Sequence, residues 1–271
     1  DTLTLYSGSD SIGTATVADS IWSITTSTLA DATHSITAKS TDPAGNVSVA
    51  STAQSVVIDT AGPTAPTINS ITTPNSDSTP TITGTGVTGD TLTLYSGSDS
   101  IGTATVASSA WSITASTLAD ATHTITAKST DPAGNVSVAS TAQSVVIDTA
   151  GTTAVFSAAT DDVGSVTGAL SSGDTTDDTS LVLSGTNESG STVQVYNGST
   201  LVAAATVSGT SWSYAATIAN GITYQFNVKE TDSAGNVSSA TTNFTVIGDT
   251  LPTASLAYTY VSGGSGTATS V

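Results

Sequence analysis

From residue 63 to 151, apolar residues alternate with threonine and serine in short β-branched runs: TINSI, TPTITGT, TLTLYS, GTATVA, AWSITA, THTITAKS and AQSVVID. A two-residue period places successive side chains on opposite faces of an extended strand. Gly, Asn, Asp, Ser and Pro separate the runs, and no stretch carries the 3.6-residue period of a helix. The pattern predicts seven strands, A to G, within one repeat. Alternation turns Leu92, Leu94, Ile113, Ile125, Ala127, Val145 and Ile147 inward and threonine and serine toward water, with Trp111 in the core.

The chain repeats itself. Residues 1–62 recur at 90–151 with four differences, Asp19/Ser108, Ile21/Ala110, Thr26/Ala115 and Ser35/Thr124. A third copy aligns Trp212 with Trp22 and Trp111, Asp232 with Asp42 and Asp131, and Asp249 with Asp59 and Asp148; it carries 12 extra residues between Asp148 and Thr179. Seven short strands per copy predict an all-β fold of tandem immunoglobulin-like β-sandwich repeats arranged as an extended rod. The divisions are 1–62, a partial repeat lacking strands A and B; 63–151, a complete repeat; 152–250, a complete repeat with a longer strand-A segment; and 251–271, the start of a fourth repeat or a tail. The whole reads as a window on a longer array. Alternatively, a neighbouring chain completes the first copy by edge addition, giving self-association into fibres.

Composition narrows the function. The 271 residues carry 21 acidic side chains against three lysines, a net charge of −18, which opposes binding to nucleic acid and to anionic membrane surfaces. Cysteine is absent, which removes disulfides, thiolate metal sites and thiol nucleophiles. No apolar run reaches the roughly 18 residues of a membrane span. Cations are the natural partners.

The acids fall at loop positions. If strands alternate in direction, the B–C, D–E and F–G loops share one end of each sandwich, and the exit from strand G lies at the other. Stacked repeats then bring Asp59, with Asp31 and Asp10 nearby, up to Asp90, Asp131 and Asn135 of the second copy. At the following junction the same rule gathers Asp148, Asp232, Asn236 and Glu188, with Asp161 and Asp162 expected at that same end. Clustered carboxylates repel unless a cation neutralises them, and Ca2+ suits them because it accepts about six to eight oxygen ligands in flexible geometry. The competing reading is turn chemistry: in Asp-Pro-Ala-Gly the aspartate caps the turn, proline presets φ and glycine takes a positive φ.

Other chemistry finds little support. His34 and His123 align with Tyr224, which assigns that position a structural role. The doublets Asp161/Asp162 and Asp177/Asp178 lack the aromatic cleft of a glycosidase, so they bind cations or face solvent. Lys39, Lys128 and Lys229 are expected at the surface, and Asn46, Asn135 and Asn236, though in NVS sequons, read as turn residues. No phosphate loop or nucleophile elbow is present, so no enzyme activity is expected.

Taken together, TPTITGTG, GDTLTLY, STDPAGNVS, SVVIDTAGPTAP and DDVGSVTGALSSGDTTDDTSLVLSGTNESGSTVQVY resemble the bacterial Ig-like repeats of giant calcium-binding surface adhesins secreted through type I systems. The resemblance spans nearly the whole chain. It implies an extracellular stalk on a Gram-negative cell surface, serving cell adhesion and biofilm formation, with Ca2+ at its domain junctions. The family's acids carry over to Asp59, Asp131, Asp148 and Asp232, and less directly to Asp90, Glu188, Asp161 and Asp162. Two other functions fit the residues: a subunit of a self-assembling extracellular filament or surface layer, and a glycan-binding module using Tyr6, Tyr95 or Tyr196.

Overall fold

A computed structural model describes residues 1–164 and 167–250. The chain forms two compact units, the first Asp1–Thr149 and the second beginning at Ala150. The described residues contain β-strands and no helix. The expected start of a fourth repeat, 251–271, lies outside them.

In the first unit the initial copy contributes β1 (Thr2–Ser7), β2 (Asp10–Thr16), β3 (Ala32–Thr41) and β4 (Gln54–Ile58). They form one sheet in the order β2-β1-β3-β4. The second copy supplies β5 (Thr67–Ile68), β6 (Thr81–Thr85), β7 (Thr91–Ser96), β8 (Asp99–Thr105), β9 (Ala110–Thr114), β10 (Ala121–Thr130) and β11 (Gln143–Ile147). These seven strands are the predicted A to G. They divide into a β11-β10-β7-β8 sheet and a β5-β6-β9 sheet, the two layers of an Ig-like sandwich.

Alternation placed the core correctly. Leu92, Leu94, Ile125, Ala127, Val145, Ile147 and Ile113 pack with Trp111 into one buried cluster. The Trp111 indole N–H donates to the Thr85 carbonyl at 3.1 Å, so the ring is apolar in its packing and satisfied at its polar tip. Gly84 makes room for it, because a Cβ there would meet the Thr67 carbonyl and the indole.

The first copy contains WSIT, the last four residues of β9, at 22–25, yet residues 22–30 form no strand. Strand E pairs with strand B in the second copy, Ile82 opposite Ile113 and Gly84 opposite Trp111. Among the described residues Trp22 is 44% exposed and Trp111 is 4% exposed.

The second unit contains β12 (Val155–Asp161), β13 (Gly168–Ala169), β14 (Thr175–Thr176), β15 (Ser180–Thr186), β16 (Thr192–Asn197), β17 (Thr200–Ala204), β18 (Thr206–Ser208), β19 (Ser211–Thr217), β20 (Thr223–Thr231) and β21 (Phe244–Gly248). Its sheets run β13-β12-β15-β19-β18 and β14-β21-β20-β16-β17. The extra segment adds β13 and β14, the latter pairing parallel to β21. Trp212, Phe226, Leu181, Leu183, Val193 and Val195 are buried between the sheets. Trp212 repeats the packing of Trp111, donating to the Val155 carbonyl at 3.1 Å.

Candidate functional site

The recurring Asp-x-Ala-Gly-Asn turn is built by its own aspartate. The Asp131 Oδ1 accepts the Asn135 backbone N–H at 2.8 Å, and Oδ2 accepts its side-chain amide at 2.9 Å. Asp42 holds Asn46 in the same way, at 2.8 Å on both oxygens. Asp232 accepts the backbone N–H groups of Ala234 and Asn236 on Oδ1 and the Asn236 amide on Oδ2. Gly45, Gly134 and Gly235 take positive φ, as the turn requires.

These bonds favour the charged form. The Asn46 and Asn135 amides lead in lowering the pKa of Asp42 and Asp131 below the ordinary aspartate value. For Asp232 burial pushes upward, but the hydrogen bonds from Asn236, Ala234 and Gly235 together outweigh it and the pKa is lowered. Turn chemistry therefore accounts for both oxygens of each of these aspartates.

Within the first unit, the link from the first copy to the second runs through asparagine. Asn135 donates from its side-chain amide to the Asp59 backbone carbonyl at 2.9 Å. Since that nitrogen also donates to Asp131, each of its two hydrogens has an acceptor. Gly62 passes so close to the Val136 carbonyl that a Cβ would stand 2.8 Å from it. Asp59 itself is exposed, with Oδ1 accepting the Ala61 N–H at 3.2 Å. Asp31, expected in a loop near Asp59, fastens the exit from β4 by accepting the hydroxyl of the adjacent Thr60 at 2.9 and 3.1 Å. Asp120 does the same for Thr149.

Asp90 is a buried carboxylate at 2% exposure, accepting the Ser129 hydroxyl at 2.8 Å. In the third copy the two residue types have exchanged strands. Ser191 stands at the Asp90 position and Glu230 at the Ser129 position, and both are buried. Glu188 is exposed and accepts the Thr152 hydroxyl at 2.8 Å. Asp148 follows β11, its N–H donating to the Asn75 carbonyl at 3.0 Å.

Asp161 and Asp162 sit at the opposite end of their sandwich from the one expected. β12 starts with Val155 opposite Thr186 and ends with Thr160 opposite Val182. The chain therefore travels about 20 Å, six extended residues at about 3.3 Å each, away from the Glu188 end before reaching these acids.

There they meet the second acidic doublet, for which the sequence left cation binding and solvent exposure both open. Asp161, Thr176 and Asp178 are each 2% exposed. The Thr176 hydroxyl donates to Asp161 Oδ2 at 2.7 Å and accepts the Asp178 N–H at 3.1 Å, and the Thr176 carbonyl accepts the Asp249 N–H at 2.8 Å. Asp178 Oδ1 accepts the Ser180 N–H at 2.7 Å, while its buried Oδ2 has no partner. Asp177 lies against Gly164, where a Cβ would collide with its carboxylate. The signal was the second doublet in TTDDT, which alternation alone could not assign to solvent or interior. Among the described residues, no three His, Cys, Asp or Glu side chains form a metal-holding group. Any divalent ion here would need further oxygens from backbone, water or a following segment.

The histidines have the expected structural role. His34 and His123 each bridge a strand serine, Ser7 or Ser96, and a loop carbonyl, Ala30 or Ala119. Tyr224 serves the aligned position by accepting the Ala219 N–H at 3.0 Å. Lys39 and Lys229 sit over the rings of Tyr6 and Tyr196, 5.6 and 5.2 Å from the centroids, which occupies one face of two of the three tyrosines considered for glycan binding.

The sequence model of the bacterial Ig-like domain family matches residues 1–60, 68–149 and 152–250. No curated protein matches the chain. Solved structures show a distant likeness. The fibronectin(III)-like modules of Clostridium thermocellum CbhA are 13% identical over 71% of this chain and 100% of theirs, with a TM-score of 0.40. A Bacteroides ovatus protein, SGBP-B of a mixed-linkage glucan utilization locus, is 13% identical over 92% of this chain, with a TM-score of 0.22; the chain spans 60% of its length. The central fibronectin-III array of RIM-binding protein is 12% identical over 94% of this chain and 88% of its own, with a TM-score of 0.23. The family match carries the assignment.

Proposed function

The chain belongs to the bacterial Ig-like domain family, and from that premise we propose that it is a stalk segment of a large extracellular bacterial adhesin. Its task is mechanical: repeats stacked in series hold a binding tip away from the cell surface, in adhesion and biofilm formation. Ca2+ held by carboxylates at the repeat ends stiffens the stalk.

The observation that carries the calcium reading is the buried Asp178 oxygen without a partner, beside Asp161, in a chain with three lysines. A buried carboxylate oxygen with no donor is costly, and a hard cation relieves that cost. Asp161, Asp177 and Asp178 would supply ligands at this end, with Asp162 next in sequence and Asp249 brought near by its N–H bond to the Thr176 carbonyl. At the first junction the Asn135 clip already fastens the linker, and the exposed Asp59 carboxylate is the group that remains for an ion. Asp90, Asp131, Asp148, Glu188 and Asp232 retain their sequence-based assignment as calcium ligands in this proposal. For Asp131 and Asp232 that role requires sharing oxygens already bonded to the turn.

Small-angle scattering of the chain in Ca2+ and in EGTA tests the reading. The expected result is a shorter, broader distance distribution in chelator with the β circular dichroism unchanged. An identical maximum dimension in both buffers overturns it.

A further inference from the structure

Each complete repeat joins the chain near its start to its last strand through a parallel pairing. In the second repeat the segment before β6 reaches the edge strand β11, with Asn75 bridged to Ile147. Asn75 donates its N–H to the Val146 carbonyl at 2.9 Å, its carbonyl accepts the Asp148 N–H at 3.0 Å, and the Thr73 hydroxyl accepts the Val146 N–H at 2.9 Å. In the third repeat β14 lies on β21, Thr175 opposite Ile247 and Thr176 opposite Gly248. There the Asp249 and Ile247 N–H groups donate to the Thr176 and Asp174 carbonyls at 2.8 and 3.0 Å. The Gly173 N–H donates to the Thr245 carbonyl at 2.8 Å, and the Ser172 hydroxyl accepts the Thr245 N–H at 2.9 Å.

The bond from Asp249 to Thr176 repeats that from Asp148 to Asn75 at aligned positions. The extra segment then carries the pairing upstream, so that bonded residues run over 172–176 where the second repeat has 73–75. It also braces the pairing from behind, because the buried Thr176 hydroxyl donates to Asp161 at the end of β12 at 2.7 Å.

Tension along the chain would load these bonds in a defined sense. The third repeat is entered beside Glu188, which accepts the Thr152 hydroxyl and donates its N–H to Glu230 on β20. It is left after β21, where Ile247 pairs with Thr223 at the start of β20. Entry and exit are thus separated by the seven steps from Thr223 to Glu230, about 23 Å at about 3.3 Å each. The second repeat is likewise entered beside Asn135, beyond the end of β10, and left where Ile147 pairs with Ala121 at its start. A pull draws β14 back toward the entry and β21 forward toward the exit. Parallel strands moved in this way slide along each other, and bonds lying across them resist together; strands peeled from one end lose their bonds singly. Once β12 has slid from β15, the pairing of β14 with β21 is what still links the entering chain to the leaving one.

We propose that this parallel pair is a mechanical clamp, that Ser172, Gly173, Asp174 and Thr176 hold β21 against tension, and that the third repeat therefore yields at higher force than the second. The use of such a clamp rests on the stalk reading. The clamp itself is a property of one sandwich and needs no calcium.

The test is single-molecule force spectroscopy on the full chain held by its two ends, in EGTA throughout. Unfolding of residues 67–147 releases about 280 Å of chain and that of 155–248 about 330 Å, at about 3.5 Å per residue, so each step identifies its repeat. On a force ramp the 280 Å step should precede the 330 Å step. Thr73→Val and Ser172→Ala, both at exposed positions, remove the acceptors of the Val146 and Thr245 N–H groups. Each should speed unfolding of its own repeat at constant force by about fivefold and leave the other repeat unchanged. Thr81→Val, which removes the hydroxyl bond to Thr114 between β6 and β9, should leave the 280 Å step where it was. The reverse order of steps, unchanged rates in Thr73→Val and Ser172→Ala, or an equal effect from Thr81→Val overturns the proposal. Failure of the scattering test removes the calcium stiffening and leaves the clamp; failure here leaves the calcium reading as it stands.

Discussion

Trp111 fills the core of the second repeat, and truncating it to alanine tests how much of that repeat's stability the packing supplies. A tryptophan side chain buries up to about 250 Å², which at about 25 cal/mol/Å² is about 6 kcal/mol for complete burial. Trp111 is 4% exposed, so nearly all of that applies, and its loss also leaves the Thr85 carbonyl without its donor. After relaxation of the cavity, Trp111→Ala should destabilise the second repeat by about 3–5 kcal/mol. The assay is urea unfolding followed by circular dichroism, with the repeats treated as separate transitions. A variant that keeps Trp111 as its single tryptophan reports burial directly through acrylamide quenching, which should be slow. A loss below about 1 kcal/mol, or quenching as fast as that of an exposed tryptophan, would refute the claim that Trp111 is packed between the two sheets.

Gly185→Ala should weaken the third repeat by at least about 3 kcal/mol, since its Cβ would strike the Val155 carbonyl and the Trp212 ring, and backbone cannot swing aside; a thermal melt checks it. Asn135→Ala removes the donor to the Asp59 carbonyl and should increase cleavage in the 59–66 linker during limited proteolysis without unfolding either repeat. The same change should raise the Asp131 pKa, read by NMR titration, because the Asn135 amide is the leading cause of its lowering. Asp42, Asp131 and Asp232 have pKa values depressed by folding, so their contribution is full above the unfolded value and vanishes as pH falls through the folded one. Stability should accordingly be flat at neutral pH and decline below about pH 4, and Asp131→Asn should flatten that decline.

The alternation of apolar and hydroxylated residues was sufficient to place the seven strands and the core of the second repeat. Each strand there is half buried, and a period of two leaves a single choice of inward face. The Asp-x-Ala-Gly-Asn turn was legible for the same local reason, because its hydrogen bonds span five residues. Other features depended on distance along the chain. The insertion before Thr179 could be counted, but Asp161 and Asp162 were expected at the Glu188 end of the sandwich, and only the length of β12 shows that the chain reaches the far end before them. Asn135 read as a turn residue, and only the approach of the linker gave its second amide hydrogen the Asp59 carbonyl. Glu230 sat in an alternating strand like any other acid, and burial among Asn187, Glu188 and Ser191 is a property of three segments meeting. Sequence determined the turn chemistry and which face each residue would present. The pairing of β9 with β6 and the burial of Trp111 between the two sheets were decided by the tertiary structure, because sheet hydrogen bonds and apolar burial both require a second surface.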